Sequence, residues 1–207
     1  MKKTIIILLF SAIALTSLQI ACSKSETKIP EIPVNNLKIG DYHQGGFIVY
    51  LSTADDAGYS PNTPHGIIAA TSDQNTGIAW ITGGNTQTTT NGFTSTARGM
   101  GYTNTFYMIS QPGYSGGAAK ACVDYSINFN GLIYSDWYLP NYPELNLLYR
   151  LNQLNSTGKT VFGEFYWCSQ ESSNGQATCL KFINSSTTQS TTANKSTLYR
   201  VRAFRNF

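Results

Sequence analysis

Charge is scarce in this chain: Asp, Glu, Lys and Arg together make up 12 % of its 207 residues, about half the usual share. The formal net charge of +3 includes Lys2 and Lys3. Both lie in the N-terminal leader, so the remaining chain carries +1. With no basic stripe anywhere, nucleic acid is an unsuitable partner. Histidine is nearly absent. His43 and His65 have no ligand-spaced neighbours, and a zinc centre would need more nitrogen and sulfur donors than the chain can assemble. No G-x-S-x-G elbow, phosphate-binding loop or dinucleotide fingerprint occurs, so the common hydrolase, nucleotide and nicotinamide chemistries lack their usual signatures. No internal repeat is visible, and no apolar run is long enough to span a membrane as a helix. These absences leave no expected catalytic, metal or cofactor site.

The most informative feature present is Cys22. It follows the basic start Met1-Lys2-Lys3, an apolar run from Thr4 to Leu15, and the small residue Ala21. That order defines a secretory leader. A cysteine directly after the small residue is what bacterial lipoprotein processing uses: its thiol takes a diacylglycerol and its freed amine a further acyl chain. Two or three chains give a stable anchor, since each buried methylene contributes roughly 0.8 kcal/mol. Gln19 stands where a lipoprotein signal usually has Leu, and ordinary secretion with a coincidental cysteine is the alternative. Ser23 is not the aspartate that retains some lipoproteins at the inner membrane, so the outer membrane is the expected location. Residues 23–37 carry charges, two prolines and no periodicity, and read as a flexible tether. The expected organisation is a leader over 1–21, an acylated tether over 22–37 and one domain over 38–207.

That domain is long enough for a substantial core. Aromatic residues reach 13 % and there are thirteen tyrosines. Polar aromatics supply contact area at low entropic cost, although half-buried strand positions are the plainer account of most of these tyrosines. Cysteine usage fits an oxidising compartment. Cys168 and Cys179 flank the turn-rich segment Gln170–Gln176, with Asn174-Gly175 inside it. A hairpin there would set the two sulfurs across the strands, so a Cys168–Cys179 disulfide is expected and Cys122 is left as a buried free thiol on a helix.

Short apolar runs at Phe47–Leu51 and Gly66–Ala70 predict strands, with a third over Ile78–Ile81. A short helix is predicted around Thr103–Met108. A second opens near Ser115 and aligns Ala118, Ala119, Cys122 and Tyr125 on one face. The third has Asn141 as cap, Pro143 in its first turn and Glu144 at the capping-box position, followed by the stripe Leu147, Leu148, Leu151 and Leu154. The last third reads as strands over 164–169, 177–183 and 198–207, with a Ser/Thr-rich loop over 184–197. Basic residues alternate with others in Tyr199–Arg205, which predicts a strand with one wet face. Thr82–Thr96 reads as a long polar loop.

From Gly40 to Phe207 the chain resembles the Lcl C-terminal domain family, named for a collagen-like bacterial adhesin. The motifs run in order: Gly45-Gly46-Phe47-Ile48-Val49-Tyr50, His65-Gly66-Ile67-Ile68-Ala69-Ala70, Asp73-Gln74 with Gly77-Ile78-Ala79-Trp80, and Ala118–Cys122. The central signature Asp136-Trp137-Tyr138-Leu139-Pro140 with Glu144-Leu145 follows, then Tyr166-Trp167-Cys168-Ser169 and Val201–Arg205. The resemblance implies a single compact α+β domain, C-type-lectin-like and related to sulfatase-modifying factors, with two or three helices and a mostly antiparallel sheet. It implies that Trp137 and Trp167 are core anchors, sugar stacking being the functional alternative, with Trp80 better placed for exposure. It also implies adhesion to glycans or surface proteins.

Two further readings concern particular side chains. Asp55, Asp56 and Asn62 form an oxygen-rich patch, of the kind a calcium site needs, with solvated loop acids as the plain reading. Glu144 reads as a helix cap and Asp136 as a turn former, not as paired catalytic carboxylates. The expectation is a membrane-tethered, non-enzymatic binding module for glycans or surface proteins, with a structural or assembly role in the envelope as the alternative.

Overall fold

Alternation of apolar and polar residues in short β-branched and aromatic runs produces strands here, and those strands pair into two main sheets around an aromatic core. The computed structural model describes residues 28–30, 33, 36–82, 97–154 and 160–207. The predicted leader over 1–21, Cys22 and all but Thr82 of the predicted loop over Thr82–Thr96 lie outside the described residues. The first sheet has the order β1-β2-β3-β13, formed by Tyr42–His43, Gly46–Leu51, Gly66–Ala70 and Phe204–Asn206. The second has the order β11-β10-β9-β12-β4, formed by Thr188–Asn194, Gln176–Phe182, Phe165–Ser173, Tyr199–Val201 and Asn75–Ile78. Two small ribbons complete the set: β5 (Ile81–Thr82) with β6 (Gly116–Gly117), and β7 (Ile127–Phe129) with β8 (Leu132–Tyr134). Pairing is antiparallel except for the single contact of β12 with β9, Arg200 against Tyr166. The helices are α1 (Met100–Ile109), α2 (Ala118–Val123), α3 (Tyr142–Asn146) and α4 (Leu148–Gln153). The architecture is α+β with mostly antiparallel sheet.

The buried residues fall into two clusters. Trp80, Trp137, Trp167, Met108 and Cys122 belong to one; Tyr138, Tyr166, Leu148, Phe182 and Phe204 belong to the other. Each indole N–H is satisfied by a carbonyl: Trp80 to Cys168 at 2.7 Å, Trp137 to Tyr134 at 3.0 Å and Trp167 to Ile78 at 2.9 Å. Buried aromatics of this size dominate core energetics, and a satisfied N–H removes the penalty of burying it. Trp80 is therefore core, although its place before the polar loop gave it the better chance of exposure among the three indoles. The ammonium of Lys195 lies 5.0 Å from its ring centroid, and that lysine is itself fully buried and paired with Glu171.

Several boundaries differ from the sequence reading, each for a local reason. The predicted third strand is split, because Ala79 and Trp80 leave β4 to dip into the core before β5 begins. The helix predicted from Ser115 starts only at Ala118, since Gly116-Gly117 pairs with β5. The capping box of Asn141 and Glu144 is formed as expected. The helix it opens bends at Leu147, which caps α3 and starts α4. Leu148 and Leu151 stay buried, while Leu154 at the end of the stripe is exposed. The Ser/Thr-rich stretch predicted as a loop holds β11, paired along its whole length with β10. Threonine suits an edge strand that faces water on one side, and apolar periodicity, the signal for a half-buried strand, is missing there.

The cysteine expectation also changes. The hairpin of β9 and β10 forms around Asn174-Gly175, but bulges shift its register so that Cys179 faces Trp167. Neighbouring residues on a strand point to opposite faces. Cys168 accordingly joins the cluster of Tyr166 and Leu180, and Cys179 that of Trp167. Cys168, Cys179 and Cys122 are free thiols. A bridge between the first two would have to cross the sheet.

Candidate functional site

A turn, a helix start and a sheet edge meet in a cleft of about 400 Å³ lined by Tyr50, Ser52, Asp56, His65, Arg98 and Phe207. Tyr50 lies near the end of β2, and the chain then turns sharply. Asp56 closes that turn: its backbone N–H donates to the Thr53 carbonyl at 2.9 Å, while its carboxylate accepts from the Thr53 N–H at 2.7 Å. The same carboxylate oxygen accepts from the Tyr50 hydroxyl. The other oxygen pairs with Arg98 at 3.3 Å. The guanidinium of Arg98 stacks over the Tyr50 ring, 4.1 Å from its centroid, a cation–π placement. The Thr53 and Tyr50 hydrogen bonds hold the Asp56 carboxyl below its ordinary range. Burial pushes the Tyr50 phenol up, so it remains a hydrogen-bond donor.

The opposite side of the cleft is fixed by backbone. Phe207 and Gly66 exchange both backbone hydrogen bonds, at 3.1 and 3.2 Å. The His65 ring lies 3.3 Å from the Phe207 carbonyl, and His43 meets the Phe207 ring edge-on at 4.9 Å. The two histidines thus position Phe207. Among the described residues no cluster of three His, Cys, Asp or Glu side chains could hold a metal ion.

Beneath Arg98 sits Glu144, fully buried. One carboxylate oxygen accepts from the N–H groups of Gly99 (2.7 Å) and Gly101 (3.3 Å), and the other from Asn141 (2.9 Å). One side chain therefore ties the start of α1 to the start of α3, where unpaired N–H groups and the helix dipole favour negative charge. Burial nevertheless pushes its carboxyl up to about 7, against the pull of those N–H donors and of Arg98. Gly101 has no alternative: a Cβ there would lie 2.1 Å from a Glu144 oxygen and 2.8 Å from the Tyr138 ring. Glu144 is a cap, as its sequence position implies, and also a clasp that sets where Arg98 enters the cleft.

The remaining sequence candidates separate. Asp56 belongs to the cleft, but its oxygens already accept from Tyr50, Thr53 and Arg98, which leaves a calcium ion little to bind. Asp55 does not line the cleft, and Asn62 is exposed. Asp136 is more than a turn former, since it pairs with Arg205, whose guanidinium lies 4.5 Å from the Tyr134 ring centroid. Burial raises the thiols of Cys122, Cys168 and Cys179, the last to about 12; thiols held protonated are poor nucleophiles. Arg98, Tyr50 and Phe207 were not singled out by sequence. The available signal was the scarcity of cations, which makes an isolated arginine after a long uncharged run conspicuous.

A second surface lies beside α1. A groove of about 180 Å³ is lined by Tyr102, Phe106, Ile109, Val123 and Trp137. Tyr102, Phe106 and the neighbouring Tyr107 are exposed.

No protein-family model matches the chain, and no curated protein matches it. Among solved structures it is similar to a fimbrial protein from Bacteroides ovatus ATCC 8483, with a TM-score of 0.50 and 16 % identity. The match covers 81 % of this chain and 48 % of the other, so the chain spans about half the length of that protein. The likeness is one of fold.

Proposed function

We propose that this protein is a cell-surface lipoprotein that acts as a non-enzymatic binding module, with a saccharide as the ligand of the Tyr50–Asp56–Arg98 cleft. The observation that carries this reading is the cleft itself. It joins a carboxylate, a guanidinium, a hydroxyl and an imidazole to the ring of Phe207 in one open recess, which matches the alternating hydroxyl and C–H surfaces of a sugar ring. Catalysis is not part of the reading: Asp56 is spent on neutral and cationic donors, and the three thiols are buried. The leader with Cys22, the resemblance to the Lcl C-terminal domain and the fold shared with a fimbrial protein all support a place on the outer surface of the envelope.

The alternative is an assembly component of the envelope or of a surface appendage. The exposed aromatic face of α1 favours it, because exposed clustered aromatics mark protein contacts. The test is a glycan and glycosaminoglycan array probed with the mature chain carrying Cys22→Ser, with calcium and with chelator. The expected result is reproducible binding that chelator leaves unchanged, because the Asp56 oxygens are already engaged. Binding to no glycan would reject the saccharide reading and transfer the weight to α1 and a protein partner.

A further inference from the structure

The chain between the expected lipid anchor and the domain meets the hairpin of β7 and β8 at Ile29. Ile29 donates its N–H to the side-chain oxygen of Asn130 at 3.0 Å, and the Asn130 side-chain nitrogen donates back to the Ile29 carbonyl at 2.9 Å. This reciprocal pair imitates one rung of a β-ladder. Asn130 and Gly131 form the turn of the β7–β8 hairpin, with φ of 53° and 84°, the left-handed pair that a tight two-residue hairpin needs. Immediately past that turn stand Leu132 and Ile133, 60 % and 73 % exposed, and Ile29 is itself 46 % exposed. Three large exposed aliphatic side chains thus belong to the fastened tether residue and to the strand directly after the turn, Leu132 and Ile133 on opposite faces of the ribbon. Two-stranded ribbons have little packing of their own, and aliphatic residues at such a tip contribute nothing to the core.

We propose that the tip of the β7–β8 hairpin, with Leu132, Ile133 and Ile29, is a membrane-contact surface that seats the domain on the lipid bilayer holding its anchor. The inference rests on the lipoprotein reading of Cys22. Its occupant follows from chain length: Ile29 is seven residues from Cys22, a span of at most roughly 25 Å fully extended. With Ile29 fastened to Asn130, an acyl-bearing Cys22 keeps the hairpin within that distance of the bilayer surface. Exposed aliphatic side chains held there partition into the headgroup and acyl boundary, as the apolar face of an interfacial segment does. Such seating fixes the orientation of the domain, and with it the direction in which the Arg98 cleft opens.

The test uses the full chain, acylated in cells, purified and reconstituted into phosphatidylcholine vesicles with and without brominated acyl chains. Ile133→Trp places an indole at the tip, and Leu198→Trp provides a comparison at a 64 % exposed aliphatic position outside the hairpin. Mass spectrometry reports the acyl chains on Cys22, and flotation reports attachment to vesicles. The expected result is at least twofold stronger bromolipid quenching for Ile133→Trp than for Leu198→Trp. Asn130→Gly, which keeps the turn but removes the clasp, should at least halve that difference. Equal quenching in an acylated, floating protein would overturn the contact surface and leave the anchor standing. An indole shielded from aqueous quencher yet unreached by bromolipid would assign the tip to a second copy or another protein, and would also overturn the inference. Absence of acyl chains at Cys22 would remove the anchor reading itself, and the contact surface with it.

Discussion

Two groups of the same chemistry, each an aspartate with arginine and tyrosine, lie in opposite environments. The Asp73 side chain, 7 % exposed, accepts from Arg202 at 2.7 Å and from the Tyr166 hydroxyl at 3.2 Å, and a second arginine, Arg200, joins this trio at 3.0 Å. Arg202 is 3 % exposed and also donates to the Ala70 carbonyl at 3.1 Å. Asp56, Arg98 and Tyr50 repeat the trio at the rim of an open cleft. Buried charges persist only when each is paired, and removing one partner strands the others in a low dielectric. Exposed pairs are screened by water and hold little of the fold. The first trio ties the loop before β4 to β9 and β12. The second is free to exchange its partners for those of a ligand.

The largest expected effect breaks the buried trio. Asp73→Ala leaves two guanidiniums facing each other and should destabilise the fold by about 3–5 kcal/mol, read as a lowered urea midpoint. Asp56→Ala, the matched change at the cleft, should leave that midpoint within error. Equal losses would erase the distinction between the two trios.

Next in size is Glu144, which belongs to both worlds: buried like Asp73, but directly under Arg98. Its folded-state value of about 7 lies above the ordinary 4.5. The folded state therefore holds the proton more tightly than the unfolded state. Its contribution to stability is full below about pH 4.5 and is lost as pH rises through about 7. The urea midpoint should fall over that interval, and Glu144→Gln should flatten the fall. A midpoint level from pH 5 to 7 in the native chain, as in Glu144→Gln, would show the carboxylate ionised throughout.

The smallest expected effect concerns the thiols. Cys168 and Cys179 lie on opposite faces of the sheet, so reductant should not move the urea midpoint. Thiol titration of the denatured Cys22→Ser chain should count Cys122, Cys168 and Cys179 as free. A count of one would restore the disulfide.

Legibility from sequence followed the same division between buried and open regions. The capping box at Asn141 and Glu144 was legible because the cap is a local pattern, and the strands at 46–51 and 66–70 because their apolar runs are unbroken. The aspartate hub was not: Arg200 and Arg202 alternate as a wet strand face would, and only the distant Asp73 makes burial affordable to them. The Cys168–Cys179 expectation failed on two bulges that no local pattern marks. The β7–β8 hairpin carried a readable signal, Asn130-Gly131 between Ile127-Asn128-Phe129 and Leu132-Ile133-Tyr134, which is a strong short-range hairpin pattern. The cleft was half legible, since Asp56 stood out as a loop acid while Arg98 and Phe207 reach it from remote parts of the chain.

The most direct measurement is calorimetric titration of the strongest array glycan into the Cys22→Ser chain and into the same chain with Arg98→Ala, with urea midpoints taken in parallel. The expected result is affinity weakened about tenfold or more by loss of one charged hydrogen-bonding partner, with the midpoint unchanged. Equal affinity in the two chains at equal stability would contradict the assignment of the Tyr50–Asp56–Arg98 cleft as the binding site.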